Sequence, residues 1–210
     1  MQIVVKANDA QKQVFLVKGV PADVFISWLT DEKKVPEADA YFDLCYEEYG
    51  AAFEGIYDKP VFINSVIETS ERLPANFIRL NAWNGFLEND SIEIVRADLT
   101  AGKQGSQIMA DLVLKALGWK YQTAPDIPGM IAARVIAMII NEAYFGLGDE
   151  ISTKTEIDIA MKLGTNYPFG PFEWSQKIGL NKIYTLLKKL SEQDSRYAVA
   201  PALEKELTKQ

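Results

Sequence analysis

The chain reads as two unlike parts, an α/β domain over residues 1–123 followed by an all-helical domain over residues 124–210. Three observations predict this. Short runs of β-branched and aromatic residues, bounded by turn residues, fill the first part. Periodic apolar positions with capping signatures fill the second. Between them, Pro125-Asp126-Ile127-Pro128-Gly129 punctuates the chain.

In the first part, Ile3–Lys6 and Val14–Val17 read as strands, with the polar Asn8-Asp9-Ala10-Gln11 as a hairpin turn between them. Val24–Trp28, Tyr41–Cys45, Val61–Ile63, Phe77–Leu80 and Ile92–Val95 are further strands. The pieces between them are short. Ala51–Tyr57 has room for one or two helical turns, whereas a parallel crossover usually takes a dozen or more residues. A doubly wound sheet built from these segments is a trimmed one. Gln104–Leu117 is amphipathic through Ile108, Leu112 and Leu117, and Gly118 is placed to end it; Trp119–Thr123 makes a last strand.

In the second part, Met130–Leu147 holds only Arg134 and Glu142 as charges, which predicts a helix buried nearly all round. Thr153 and Glu156 form a capping box for a helix running to Leu163 and ended by Gly164. Pro168–Lys177, Leu180–Leu190 and Pro201–Leu207 give three more helical segments.

Composition bounds the function. A hydrophobic content of 48% with 24% charged residues places the chain in the globular class, and a net charge of -7 argues against a nucleic-acid partner. A single cysteine, Cys45, allows no internal disulfide and reads as a small buried hydrophobe. There is no histidine, so a metal site would need carboxylates alone, and no such cluster is visible. Met1–Lys6 lacks the basic lead and apolar run of a signal peptide, and no apolar stretch is long enough to span a bilayer. The expectation is a cytoplasmic protein with no membrane partner.

Several motifs then fall in order. Asp126-Ile127-Pro128-Gly129-Met130-Ile131, Arg134 and Asn141-Glu142-Ala143 come first, followed by Glu156–Gly164, Tyr167–Glu173 and Ile178-Gly179-Leu180. Arg196-Tyr197 and Pro201-Ala202-Leu203 close the series. Over roughly residues 124–207 this resembles the C-terminal helical domain of 3-hydroxyacyl-CoA (3-hydroxybutyryl-CoA) dehydrogenases. Upstream, Ala38–Leu44 and Pro60–Ser65 are similar to that family's strands near the cofactor. Phe77–Gly85 lies where the family has a strand leading into a His-Phe-Phe-Asn-Pro motif.

The resemblance implies a Rossmann-like sheet followed by a 6-phosphogluconate-dehydrogenase-like helical domain. It also implies NAD as cofactor, an acyl-CoA-like substrate of fatty-acid metabolism, and a homodimer formed through the helical domain. By the same resemblance Asn81 occupies the place of the catalytic histidine and Asn84 matches the family's asparagine. Glu93 matches the catalytic glutamate, and Ser65 lies at the serine-rich, substrate-contacting turn.

The departures matter more. Histidine is the side chain suited to taking a proton near neutrality, and an amide at Asn81 cannot hold one. Ala133 stands where the family places an asparagine near the thioester. A dinucleotide site needs a glycine-rich turn straight after its first strand, and here Lys6-Ala7-Asn8-Asp9-Ala10-Gln11 contains none. No cofactor is therefore expected from the residues themselves, and NAD only from the resemblance.

Three readings stay open: a dehydrogenase-like pseudo-enzyme, an active divergent enzyme using Glu93, and a non-catalytic partner of a full-length dehydrogenase. Plainer readings stand beside each residue. Glu93 between Ile92 and Ile94 fits a surface position in an alternating strand. Asn81 and Asn84 fit a turn, and the prolines and glycines of Gly164–Glu173 fit helix termini. Arg134 fits either a phosphate or a buried acid, Glu142 or Glu173. Trp83, Trp119 and Trp174 fit core anchors.

Overall fold

The strands at Ala40–Asp43, Val61–Asn64 and Phe77–Leu80 are buried through their length, as strands covered on both faces are. The computed structural model describes residues 1–31, 33–95 and 104–209, with the backbone alone for 104–107. It divides into two compact units, Met1–Met130 and Ile131–Gln210.

The first unit runs β1 (Gln2–Lys6), α1 (Asp9–Val17), β2 (Phe25–Trp28), β3 (Ala40–Asp43), α2 (Tyr46–Tyr49), β4 (Val61–Asn64), β5 (Phe77–Leu80), β6 (Ser91–Val95), α3 (Gln104–Ala116) and β7 (Lys120–Ala124). The described strands lie in the order β2-β1-β3-β4-β5-β6-β7. β1 to β5 are parallel, β6 is antiparallel to β5, and β7 is parallel to β6. On one face Ile3, Val5, Phe42, Phe62, Ile78, Leu80, Ile92 and Ile94 pack with Phe15 of α1 and Val113 and Leu114 of α3. Val4, Tyr41, Val61, Ile63 and Phe77 form the other core with Phe53. Phe42 stacks on Phe62 with ring centroids 4.4 Å apart, and Phe15 meets Phe42 edge-on at 5.6 Å.

The structure replaces the expected hairpin with a βαβ unit. Val14–Val17 is not a strand but the last turn of α1, and Asn8 is its N-cap. Asn8 Oδ1 accepts from the Gln11 amide at 2.9 Å, while Gln11 Oε1 accepts from the Asn8 amide at 2.9 Å. This reciprocal capping outweighs the β-like run that follows it. Residues 51–57 hold no helix; the short helix of this stretch is α2, just upstream.

α3 turns a different stripe to the sheet from the one expected. Ala110, Val113, Leu114 and Leu117 are buried, while Ile108 is 62% and Leu112 51% exposed. Leu112 and Leu117 lie about 140° apart around a helix, so they cannot share a face. Gly118, at φ +68, follows the helix as expected.

The second unit holds α4 (Ala132–Gly148), α5 (Lys154–Thr165), α6 (Pro171–Ile178), α7 (Leu180–Ser191) and α8 (Pro201–Leu207). α4 is not buried all round. Ala133, Ala137, Ile140, Asn141, Ala143 and Tyr144 face inward, but Ile131 before it and Val135 on it are 44% and 53% exposed. Asn141 is satisfied on both arms, donating to the Ala198 carbonyl and accepting from the Ala200 amide, each at 2.9 Å. That pair fixes the turn into α8.

The Thr153–Glu156 capping box opens α5, but the helix passes Gly164 and ends at Asn166 in the left-handed region, φ +56. α6 begins at Pro171, three residues later than the earliest expected start. Its first turn is capped from α5, where Asp158 Oδ1 accepts from the Phe172 amide at 2.8 Å. Arg134 pairs with neither Glu142 nor Glu173. Its Nε donates to the Tyr197 hydroxyl at 2.8 Å, and Glu173 is joined to Lys162 instead. Trp83, Trp119 and Trp174 are all core residues.

Gly170 leaves no room for a side chain, since a Cβ there falls 2.3 Å from Asp158 Oδ1. Gly170→Ala therefore displaces the capping carboxylate, and we expect a loss of about 1–3 kcal/mol of stability by urea denaturation. Gly164→Ala, with open space around it, serves as the control and should cost far less.

Candidate functional site

Strand register builds the site. Antiparallel pairing of Arg79 with Val95 and Leu80 with Ile94 brings the next residue of β5's exit, Asn81, opposite Glu93. The Asn81 amide N–H donates to the Glu93 carbonyl at 3.0 Å. Asn81 Nδ2 donates to Glu93 Oε2 at 3.1 Å. Both side chains are buried, Glu93 at 5% exposure, so its surface-facing reading is overturned. The alternation of β6 does hold, but Ile92 and Ile94 face the α1–α3 core and Glu93 faces the other covered side.

The remaining site residues are dispersed. Asn84 is exposed on a turn in which the Phe86 amide donates to the Trp83 carbonyl at 2.9 Å. Gly85 supplies the positive φ of +96 that such a turn demands of its third residue. Ser65 is buried just past β4, its hydroxyl donating to the Glu68 carbonyl at a long 3.4 Å. Asn81 and Glu93 are thus brought together, and Asn84 projects away into solvent.

Four residues that organise this end of the sheet were not among the sequence candidates. Asn64 Oδ1 accepts from the Ala82 amide at 3.0 Å while its Nδ2 donates to the Leu44 carbonyl at 3.2 Å, tying together the ends of β3, β4 and β5. Arg79, wholly buried, donates from Nε to the Ser65 carbonyl at 2.9 Å and from Nη2 to the Val66 carbonyl at 3.1 Å. Its Nη1 meets Asp126 Oδ1 at 2.5 Å. Burial lowers the Arg79 pKa, and the Asp126 carboxylate works against that shift. Glu47 on α2 accepts from the Val66 and Ile67 amides and from the Trp83 indole. A lone arginine inside the apolar run Phe77–Leu80 was the one signal available in the sequence.

At the chain reversal between β1 and β3, where doubly wound sheets take dinucleotides, a side chain fills the space. Gln11, 5% exposed, donates from Nε2 to the Leu44 carbonyl at 2.7 Å and accepts from Cys45 Sγ at 3.3 Å. No glycine lies in the β1–α1 turn, and Asn8 caps the helix from within. Cys45 is buried, and desolvation pushes its thiol pKa up.

The first unit is thus a mostly parallel sheet with a carboxylate and an amide paired at its strand ends, and the second is a helical bundle. Residues 129–210 match the family model described as 3-hydroxyacyl-CoA dehydrogenase, C-terminal domain. A 3-hydroxyadipyl-CoA dehydrogenase of Escherichia coli (strain K12) is 46% identical over 65 residues, covering 31% of this chain and 14% of the relative. A 3-hydroxybutyryl-CoA dehydrogenase of Bradyrhizobium diazoefficiens is 27% identical over 176 residues, covering 83% of this chain and 59% of the relative. The crystal structure of (S)-3-hydroxybutyryl-CoA dehydrogenase from Ralstonia eutropha shares the fold, with a TM-score of 0.74 over 99% of this chain and 93% of that one at 18% identity. The chain is therefore similar to 3-hydroxyacyl-CoA dehydrogenases, through a family-model match over its helical part and a shared fold over its length. It spans less than two thirds of the length of either curated relative.

Asp126 pairs with the buried Arg79 guanidinium and also accepts from the Ser70 amide at 3.0 Å. Asp126→Ala should cost about 2–3 kcal/mol in chemical denaturation, the loss of hydrogen bonds to a charge, because Arg79 cannot reach water unaided. Asp126→Asn, which keeps an acceptor, should recover part of it.

Proposed function

We propose that this chain is a 3-hydroxyacyl-CoA dehydrogenase-like protein of acyl-CoA metabolism whose standard hydride-transfer activity is weak or absent, on a trimmed Rossmann-like sheet. The observation that carries this is the 3.1 Å hydrogen bond from Asn81 Nδ2 to Glu93 Oε2. The position that the family resemblance assigns to a general base holds a hydrogen-bond donor. Losing a general base costs about 10²–10⁴ in rate, or roughly 3–5 kcal/mol of barrier.

The cofactor site supports the same reading. The residues at the β1–α1 turn do not fit a dinucleotide, because Gln11 bridges the crevice to the Leu44 carbonyl and no glycine allows close backbone approach. Binding of a small molecule is a separate matter. We infer that the second Nδ2 hydrogen of Asn81, whose first goes to Glu93, serves a carbonyl or hydroxyl oxygen of an acyl-CoA-like ligand. Glu93 then orients the amide rather than a proton-accepting ring. Ser65 and Asn84 have no part in this pairing.

For assembly we propose a homodimer through the helical unit. Support comes from the exposed Ile131 and Val135 and from a groove lined by Val135, Met138 and Ile139 on one face of α4. A helix face this apolar is stabilised when covered.

Acetoacetyl-CoA reduction with NADH tests the activity, alongside calorimetric titration with acetoacetyl-CoA alone. We expect turnover at least about 100-fold below that of an active family member, and thioester binding that Asn81→Leu weakens. Ordinary turnover that Glu93→Gln abolishes would establish Glu93-based catalysis instead. For the dimer, light scattering after size exclusion should give twice the chain mass, and Val135→Asp should shift it to the monomer. A wild-type monomer overturns the dimer, and a mixed species with an active homologue marks a regulatory partner.

A further inference from the structure

Three N–H groups converge on one carboxylate beside the Asn81–Glu93 pair. Glu47 Oε1 accepts from the Val66 amide at 2.5 Å and from the Ile67 amide at 2.7 Å. Its Oε2 accepts from Trp83 Nε1 at 2.6 Å. Successive backbone amides pointing the same way make an anion-binding concavity, and an indole N–H is a donor with no acceptor function. Charge-assisted bonds of this length are the strong kind.

The donors are held in place from behind, independently of Glu47. The Val66 carbonyl accepts from Arg79 Nη2 at 3.1 Å and from the Gly129 amide at 2.8 Å. The Ser65 carbonyl accepts from Arg79 Nε. Val66 and Trp83 have no exposed surface, so packing fixes them too. Glu47 itself is half-buried. The carbonyl side of this turn is thus held by contacts that do not involve Glu47.

We propose that Val66 N–H, Ile67 N–H and Trp83 Nε1–H form a carboxylate-binding cradle whose resident occupant is Glu47, the positioning residue for the two turns that carry Ser65 and Asn81. The ligand class is a small monocarboxylate, matched by two donors on one oxygen and one on the other. In the native chain Glu47 competes as a tethered carboxylate with an effective concentration on the order of millimolar or above, so free carboxylates are excluded. This assignment stands apart from the reading of the catalytic residues, because its test reads neither turnover nor cofactor binding.

The test is proton–nitrogen NMR of the full chain, following the Trp83 indole resonance (assigned by its loss in Trp83→Phe) and the Val66 and Ile67 amides. In Glu47→Ala these three resonances should move upfield. Sodium acetate should then return them toward their wild-type positions, saturating on the order of millimolar, while sodium chloride at equal ionic strength should not. Wild-type resonances should ignore acetate over the same range. Glu47→Gln, which keeps the volume but loses the charge, should shift the indole resonance and stay deaf to acetate. If Glu47→Ala does not fold, the Glu47→Gln spectrum decides. An indole resonance unmoved in Glu47→Gln overturns the proposal. So does a folded Glu47→Ala that does not respond to acetate, or a wild type that responds as the variant does.

Discussion

A guanidinium with no exposed surface must find its partners inside the protein, and at Arg79 that requirement organises the end of the sheet. One side chain reaches the Ser65 and Val66 carbonyls after β4 and the Asp126 carboxylate after β7. Asp126 in turn holds the Ser70 amide. The turn after β4 is thereby bound on its carbonyl side, and Glu47 binds it on its amide side. β5 can then deliver Asn81 to a fixed place two residues beyond Arg79, where the antiparallel register with β6 presents Glu93. The site's geometry follows from burying one charge in a strand that is otherwise apolar.

Local patterns made much of this legible, and long-range polar contacts did not. β4, β5, β6, α7 and α8 follow directly from apolar runs and periodicity, and Pro171 and Pro201 mark helix starts where their missing N–H costs nothing. The twelve-residue spacing from Asn81 to Glu93 was visible in the sequence, and the structure shows why it works: it is the length of an antiparallel connection that returns opposite itself. α1 was obscured because Val14-Phe15-Leu16-Val17 is as good a strand as a helix turn. The deciding signal was the Asn8–Gln11 cap three residues apart, a weaker pattern than the apolar run. α3 offered two apolar stripes, and only the sheet could choose between them. Asp126, Glu47 and Asn64 were beyond reach because their partners lie 18 to 56 residues away.

Asn81 and Gln11 share a physical character: each carries a side-chain amide that is buried and hydrogen-bonded. Buried amides are costly unless satisfied, so these two are integrated into the fold rather than left idle. Gln11 joins α1 to the end of β3, and Asn81 joins β5 to β6. Both amides thus act as structural joints, and the Asn8 cap and the Gln11 bridge hold α1 on the sheet in a βαβ unit with no glycine in its first turn.

Direct titration of the purified chain with NADH reads whether the crevice at Gln11 takes a dinucleotide. Nicotinamide fluorescence and calorimetry read the same equilibrium by independent signals. No saturable signal is expected up to about millimolar NADH, and no gain from adding acetoacetyl-CoA. Saturable binding in the micromolar range overturns the mismatch between this crevice and a dinucleotide.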